Sequence, residues 1–246
     1  EDAALLHFGY PTVMRKLYEK DGENLIEMYQ KLKERGIATS LDMAAVDPES
    51  PAGKVDWKKV LRGVIPYVDF FVPSVEELCF MLDRERYESW GRRTSGDVTE
   101  VLNLREDVKP LADELMEMGA KVVLIKCGAA GIYYRTAAAE VLANVGPRAE
   151  FDAKRWGNLE GFEKSYRPSR VRSGTGAGDT TIAAFLTGVL EGMEPEQCLH
   201  LAAAAGASCV AEYDALSGIP TLEKLIEKIS AGWEKQELWK PEAYLL

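Results

Sequence analysis

The chain has 246 residues, with 30 Lys and Arg against 40 Asp and Glu, which gives a formal charge of −10 and an isoelectric point of about 4.9. An acid excess of that size repels a polyanion, so nucleic acid is not an expected partner. The composition, 46% hydrophobic and 28% charged, is that of an ordinary globular chain, and no apolar run approaches the roughly 18 residues of a membrane-crossing helix, so a membrane partner is not expected either.

Four cysteines, Cys79, Cys127, Cys198 and Cys209, lie scattered, with no C-x-x-C pair, and read as buried free thiols rather than a zinc site or a disulfide framework. His7 and His200 are the two histidines of the chain, which argues against a Ser-His-Asp hydrolase or a His-rich metal site; both read as packed side chains.

The chain opens with Glu1 rather than Met and passes at once into a run at 3–8 that reads as a buried strand. An N-terminal portion is therefore expected to precede it, and the lack of a leader carries little weight. Leu25, Tyr29 and Leu32 follow helical spacing and Gly36 is a stop before a β-prone run at 37–41. The unit recurs as a helix at 57–64 leading to a strand at 68–72. It recurs again as a helix through Val108, Leu111, Ala112 and Leu115 leading past Gly119 to a strand at 122–125. Alternation of this kind predicts a parallel sheet covered by helices, in one continuous domain over 1–246. The charged stretch at 84–97 reads as a surface loop, and 136–168 has no clean period and is left unassigned. A short strand is expected just before Ser173. After the glycines that follow, Ile182, Phe185, Leu186, Val189 and Met193 form one helical stripe. An alanine-rich helix at 196–212 comes next, and Thr221 is placed to cap a last helix through Leu225, Ile226 and Ile229.

Chemistry concentrates in Ser173-Gly174-Thr175-Gly176-Ala177-Gly178-Asp179-Thr180-Thr181. Small residues let the amides of Gly176, Ala177 and Gly178 turn toward one point, and a helix start adds unpaired N–H groups and the positive end of its dipole, a concavity suited to phosphate. No Lys precedes Thr180, so this is not a Walker loop, and a dinucleotide fingerprint would need a third glycine at another spacing. Asp179 has two readings. As an N-cap it would satisfy helix amides; as a general base it would take a proton from a hydroxyl attacking the phosphoryl group that the amides hold.

Thr175-Gly176-Ala177-Gly178-Asp179-Thr180 and the Phe185-Leu186-Thr187-Gly188 helix resemble the C-terminal signature of the ribokinase, or PfkB-type, carbohydrate kinases. The resemblance spans nearly the whole chain. The run from Lys121 through Lys126 to Gly128 and Gly131 is similar to the family's strand and Gly-x-x-Gly turn, and Val72-Pro73-Ser74-Val75-Glu76-Glu77 stands where members carry Asn-x-x-Glu. Ala202 to Ala207 and Gly218-Ile219-Pro220-Thr221 are similar to the last nucleotide-side helices. The resemblance implies a ribokinase-like α/β fold, a doubly wound and mostly parallel sheet flanked by helices. It also implies ATP-dependent phosphoryl transfer to a hydroxyl of a sugar or sugar-like substrate in the cytoplasm. Asp179 would be the base, with Gly176, Ala177 and Gly178 as the anion hole. Lys126, Gly128, Gly131, Ser74 and Thr175 would lie on the ATP side, and Glu77 would hold Mg²⁺ through water. Taken alone, Glu77 reads equally as a solvated helix residue and Lys126 as a strand end. Asp42, at the carboxyl end of the strand at 37–41, is a weaker substrate or metal candidate, with a turn role as its alternative.

Three departures bear on that reading. Ser173-Gly174 replace the family's Asp-Thr, which puts a monovalent-cation site in doubt, and Ser74 replaces Asn. The family's N-terminal strands, lid and Gly-Gly sugar-contact segment have no counterpart here, so a homodimer through the lid would use a segment outside this chain. Trp156 and Tyr166 are candidates for stacking on a sugar or base. The alternatives are a nucleoside kinase on the same scaffold and a nucleotide-binding regulatory protein with little turnover. A nicotinamide oxidoreductase has little support.

Overall fold

The computed structural model describes residues 2–94, 96–238 and 240–246. Six strands, β1 (Leu5–Phe8), β2 (Ala38–Leu41), β3 (Phe70–Phe71), β4 (Val122–Cys127), β5 (Gly131–Thr136) and β6 (Glu160–Lys164), form one sheet in that order; β1 to β4 are parallel, and β5 and β6 are antiparallel to their neighbours. Helices α1 (Arg15–Tyr18) and α2 (Glu23–Glu34) join β1 to β2, and α3 (Trp57–Val64) joins β2 to β3. Helices α4 (Val75–Leu82), α5 (Arg84–Arg93) and α6 (Lys109–Glu117) join β3 to β4, while the short α7 (Ala139–Leu142) and α8 (Ala153–Trp156) lie between β5 and β6. The last three helices are α9 (Ala177–Leu190), α10 (Pro195–Cys209) and α11 (Leu222–Ser230).

The sheet separates two cores, and strand periodicity assigns each residue to one of them. Val123 and Ile125 of β4 pack with Leu25, Tyr29, Val60 and Leu111 from the crossover helices, whereas Val122 and Leu124 pack with Ile182, Phe185 and Leu201 from α9 and α10. Strands covered on both faces read as unbroken apolar runs, which is why 122–125 stood out. The strand order has no reversal among the described residues, so the second helical layer comes from the C-terminal helices and not from further crossovers. Gly36 and Gly119 close α2 and α6 in the same way. The N–H of each glycine reaches the carbonyl three residues back, Lys33 and Met116, and the next N–H reaches five back, to Leu32 and Leu115.

At the amino end of the strands Asp69 is fully buried. It accepts from Lys33 Nζ at 2.7 and 2.8 Å and from the N–H groups of Thr39 at 3.0 Å and Gly146 at 3.1 Å, with Lys121 Nζ at 3.5 Å. Four segments are locked through one carboxylate.

Several local expectations are corrected. The run at 3–8 is a half-buried edge strand. The stretch at 84–97 contains α5, because the Asp83 carboxylate caps it at the Arg86 N–H and Trp90 anchors its one buried face; Ser95 of that stretch lies outside the described residues. The unassigned stretch at 136–168 supplies β6, an edge strand with no fully buried position and so no readable alternation. Before Ser173 the chain bends at Ser169 and Arg172 and forms no strand: the Arg172 and Ser173 N–H groups bond instead to the Val210 carbonyl. Thr221 takes the cap position of α11 without its hydroxyl capping, and Ile226 faces solvent.

Candidate active site

The carboxyl ends of β1, β2 and β4, together with the loop after β3, meet the N-terminus of α9, where open α/β sheets place their ligands. Side-chain phase decides what is offered there. Asp42 continues the phase of Ala38 and Ser40, and Lys126 that of Val122 and Leu124, so both lie on the face that α9 covers. Lys126 Nζ grips the two Asp42 oxygens at 2.8 and 2.9 Å, and a Cβ added to Gly178 would stand 3.7 Å from that nitrogen. Asp42 is 2% exposed; burial raises its pKa and Lys126 opposes the rise. Lys126 takes one bond on each Asp42 oxygen, which leaves each oxygen a second lone pair.

Gly176 is the N-cap of α9 at φ 78°, and a Cβ there would meet the Ala215 Cβ at 2.2 Å, so glycine is required on both counts. No side chain caps the helix. The Ala177 N–H is engaged by the Gly174 carbonyl at 3.2 Å, whereas the N–H groups of Gly176, Gly178 and Asp179 have no acceptor among the described residues. Of the expected trio, Ala177 N–H is thus already engaged, and Asp179 N–H joins those of Gly176 and Gly178 as the free donors among the described residues. Thr175 lends this set little: its N–H bonds to Ser173 Oγ and its carbonyl accepts from Cys209 Sγ at 3.5 Å. The Asp179 carboxylate does not cap α9. It is exposed, and it accepts a hydrogen bond at Oδ1 from the hydroxyl of Tyr10, a residue the sequence reading passed over because it belongs to no motif.

Tyr10 follows β1 with φ 68° and ψ 45°, the left-handed conformation, which costs a bulky side chain about 1–2 kcal/mol. Its N–H bonds to the Asp42 carbonyl at 3.3 Å and its carbonyl accepts from Val13 N–H at 3.2 Å, so both sides of the strained residue are tied down. Burial first, then the bond to Asp179, raises the phenol pKa well above its usual value. His7 reaches solvent on the same side of the sheet and pairs its Nδ1 with Ser40 Oγ at 3.0 Å; desolvation lowers its pKa despite the attraction of Asp42 and Asp179.

Ser74 and Glu77 form a capping box at the start of α4. The Glu77 N–H reaches Ser74 Oγ at 3.3 Å, and Glu77 Oε2 accepts from Ser74 N–H at 2.8 Å. Ser74 also bridges to Lys126 in the sheet direction. Burial raises the Glu77 pKa, with Lys126 opposing. Among the described residues no three acidic, His or Cys side chains converge as a metal cage. Gly128 is exposed at the turn after β4, packed toward Thr99, and Gly131 is buried against the Glu163 carbonyl, where a Cβ would stand at 2.1 Å, so Gly131 shapes the turn and touches nothing in the cleft. Trp156 and Tyr166 are not available for stacking: Trp156 packs on Phe151 and Phe185 in the core, and Tyr166 is buried against Trp233 at 4.8 Å.

Beside the glycine loop a cavity of about 310 Å³ is bounded by Ser169, Ser208, Gly218, Pro220, Lys224 and Lys228. Ser208, 6% exposed, has an Oγ with no hydrogen-bond partner. The Gly218–Thr221 resemblance marked this region without naming Ser208. A larger recess of about 480 Å³, between Arg105, Lys109, Glu160 and Leu246, contains none of the cleft residues.

Residues 12–222 match the family model described as pfkB family carbohydrate kinase. Among curated proteins, the chain is 30% identical over 132 residues to 2-dehydro-3-deoxygluconokinase of Bacillus subtilis (strain 168), which is 54% of this chain and 35% of that protein. Among solved structures, it is similar to Arabidopsis thaliana ribokinase complexed with ribose and ATP, with TM-score 0.55 and 22% identity over 84% of this chain and 52% of that one. It is also similar to fructokinase with bound ATP from Xylella fastidiosa, with TM-score 0.62 and 17% identity over 93% and 62%. The chain therefore spans between about a third and three-fifths of the length of these proteins. No helix is long and apolar enough to cross a membrane, among the described residues.

Proposed function

Since the chain belongs to the pfkB family of carbohydrate kinases, we propose that it transfers the γ-phosphoryl group of ATP to a hydroxyl of a sugar or sugar-like acceptor, with Asp179 as the base. The observation that carries this reading is the pairing, at one helix start, of free main-chain donors with an exposed carboxylate that caps nothing. The N–H groups of Gly176, Gly178 and Asp179 would hold the charge on the phosphoryl group as it moves. Asp179 would orient the acceptor hydroxyl and take its proton. Lys126, kept in place by Asp42, adds positive charge next to Gly178 that favours the same anion.

Mg²⁺, when bound with the nucleotide, would neutralise phosphate charge. Glu77 fits an outer contact to it: one oxygen is taken by the capping box and the other accepts no bond among the described residues. The cavity with the orphaned Ser208 hydroxyl fits the nucleotide base, and the rim lysines Lys224 and Lys228 suit its anionic tail. On the acceptor side the cleft offers His7, Asp42 and Asp179, polar groups suited to a polyol, together with the exposed ring of Tyr10. The polar groups suit a sugar-like acceptor, and the Tyr10 ring favours a nucleoside as the second reading.

The test is ADP release across a panel of sugars, sugar acids and nucleosides, for the parent protein and Asp179→Asn. The variant is expected to keep its ATP affinity while kcat falls by about 10²–10⁴. Parental turnover in the variant overturns the role of Asp179.

A further inference from the structure

Tyr10 lies 169 residues from Asp179 in the chain and meets it at the mouth of the cleft. Its hydroxyl takes Oδ1 of the carboxylate, and Oδ2 accepts no hydrogen bond among the described residues. An exposed aspartate in the first turn of a helix rotates freely unless something holds it, and a base that samples several rotamers is in line with the acceptor only part of the time. The backbone around Tyr10 is built to hold it. A left-handed tyrosine is pinned by the Asp42 carbonyl on one side and by the turn to Val13 on the other, and Pro11 behind it is buried.

Resting on the kinase reading above, we propose that Tyr10 is the positioning residue of the catalytic carboxylate: its hydroxyl fixes Oδ1 and leaves Oδ2 to the acceptor hydroxyl. The phenol serves only as a donor, because burial and the bond itself keep it protonated through the neutral range. The other charged or titratable groups around this pair are His7 from β1, Asp42 after β2, Glu77 from α4 and Lys126 from β4. Desolvation lowers the His7 pKa, and Asp42 and Lys126 are bonded to each other. The hydroxyl of Tyr10 is therefore the neighbour whose removal acts on Asp179 directly.

Two measurements test this. The first isolates the Tyr10 phenol by ultraviolet titration as the difference between a protein and its Tyr10→Phe counterpart. In an Asp179→Asn background the phenol is expected to ionise at a lower pH than in the parent, by about one unit or more, because the carboxylate that raised its pKa is gone. Identical titrations overturn the contact. The second compares kinetics. Tyr10→Phe, which removes one hydroxyl and keeps the ring, is expected to lower kcat about tenfold and leave KM for ATP unchanged. Turnover by the parent with an unchanged kcat in Tyr10→Phe overturns the role of Tyr10 and leaves the kinase reading standing; no ADP release by the parent across the panel overturns both.

Discussion

At the amino end of the parallel strands, the Asp69 carboxylate meets Lys33, Lys121 and two backbone N–H groups, all enclosed by protein. At the carboxyl end, among the described residues, Asp42 meets Lys126 alone of the charged side chains within bonding distance, and the pair borders a cleft where three N–H groups and the second oxygen of Asp179 are without partners. The same two residue types in the same sheet thus do different work. A saturated carboxylate has no capacity left for a ligand and acts as a staple, whereas an undersatisfied cluster beside water is a place where something else must complete the bonding.

The contrast breaks most sharply if charge is removed at the two ends in turn. Asp179→Asn is expected to have the largest effect on catalysis, the loss of kcat given above, with no change in melting temperature because the carboxylate caps no helix. At the other end Asp69→Ala is expected to lower unfolding free energy by about 3–5 kcal/mol, the usual result of stripping one partner from a buried charge pair. Urea unfolding checks this, and a loss under about 1 kcal/mol would show that the amino-end cluster is no staple.

Lys126→Met sharpens the comparison through pH. In the parent, burial already raises the Asp42 pKa and Lys126 opposes the rise. Removing Lys126 raises it further, and a carboxyl whose folded pKa lies above its unfolded value favours folding most below the unfolded value and loses that contribution as pH climbs through the folded one. The variant is therefore expected to be about 1–3 kcal/mol less stable than the parent at pH 8, with the gap narrowing toward pH 5 as Asp42 protonates. A gap independent of pH would mean that Asp42 is held by something other than Lys126. The smallest effect belongs to Ser208→Ala, expected to change stability by no more than about 0.5 kcal/mol, because its hydroxyl bonds nothing, while raising KM for ATP a few-fold.

How much of this could be read in advance follows from how local each signal is. The helix stops at Gly36 and Gly119 and the runs that became β2 and β4 are local, and the structure keeps them. The α5 helix was missed because one buried Trp90 among charged residues leaves no visible period, and β6 because an edge strand without a fully buried position carries no alternation. In the site, Gly176 was readable because a left-handed cap demands a residue type. Ser74 and Glu77 were picked out by resemblance, although their S-x-x-E spacing also announces the capping box that ties up one oxygen of the acid. Pairing of Asp42 with Lys126 and of Tyr10 with Asp179 depends on which strand tips and helix ends the topology brings face to face. No window of sequence contains either pair.

The consecutive strand order carries a last consequence. Because the sheet from β1 to β6 is complete by residue 164 while the donor loop and its carboxylate begin after residue 173, one layer of the molecule supplies the floor of the cleft and a later one its reactive ceiling. During synthesis, the floor leaves the ribosome before α9, whose apolar side then settles onto the open face of the sheet. Burial of that face by α9 and assembly of the cleft are then the same event.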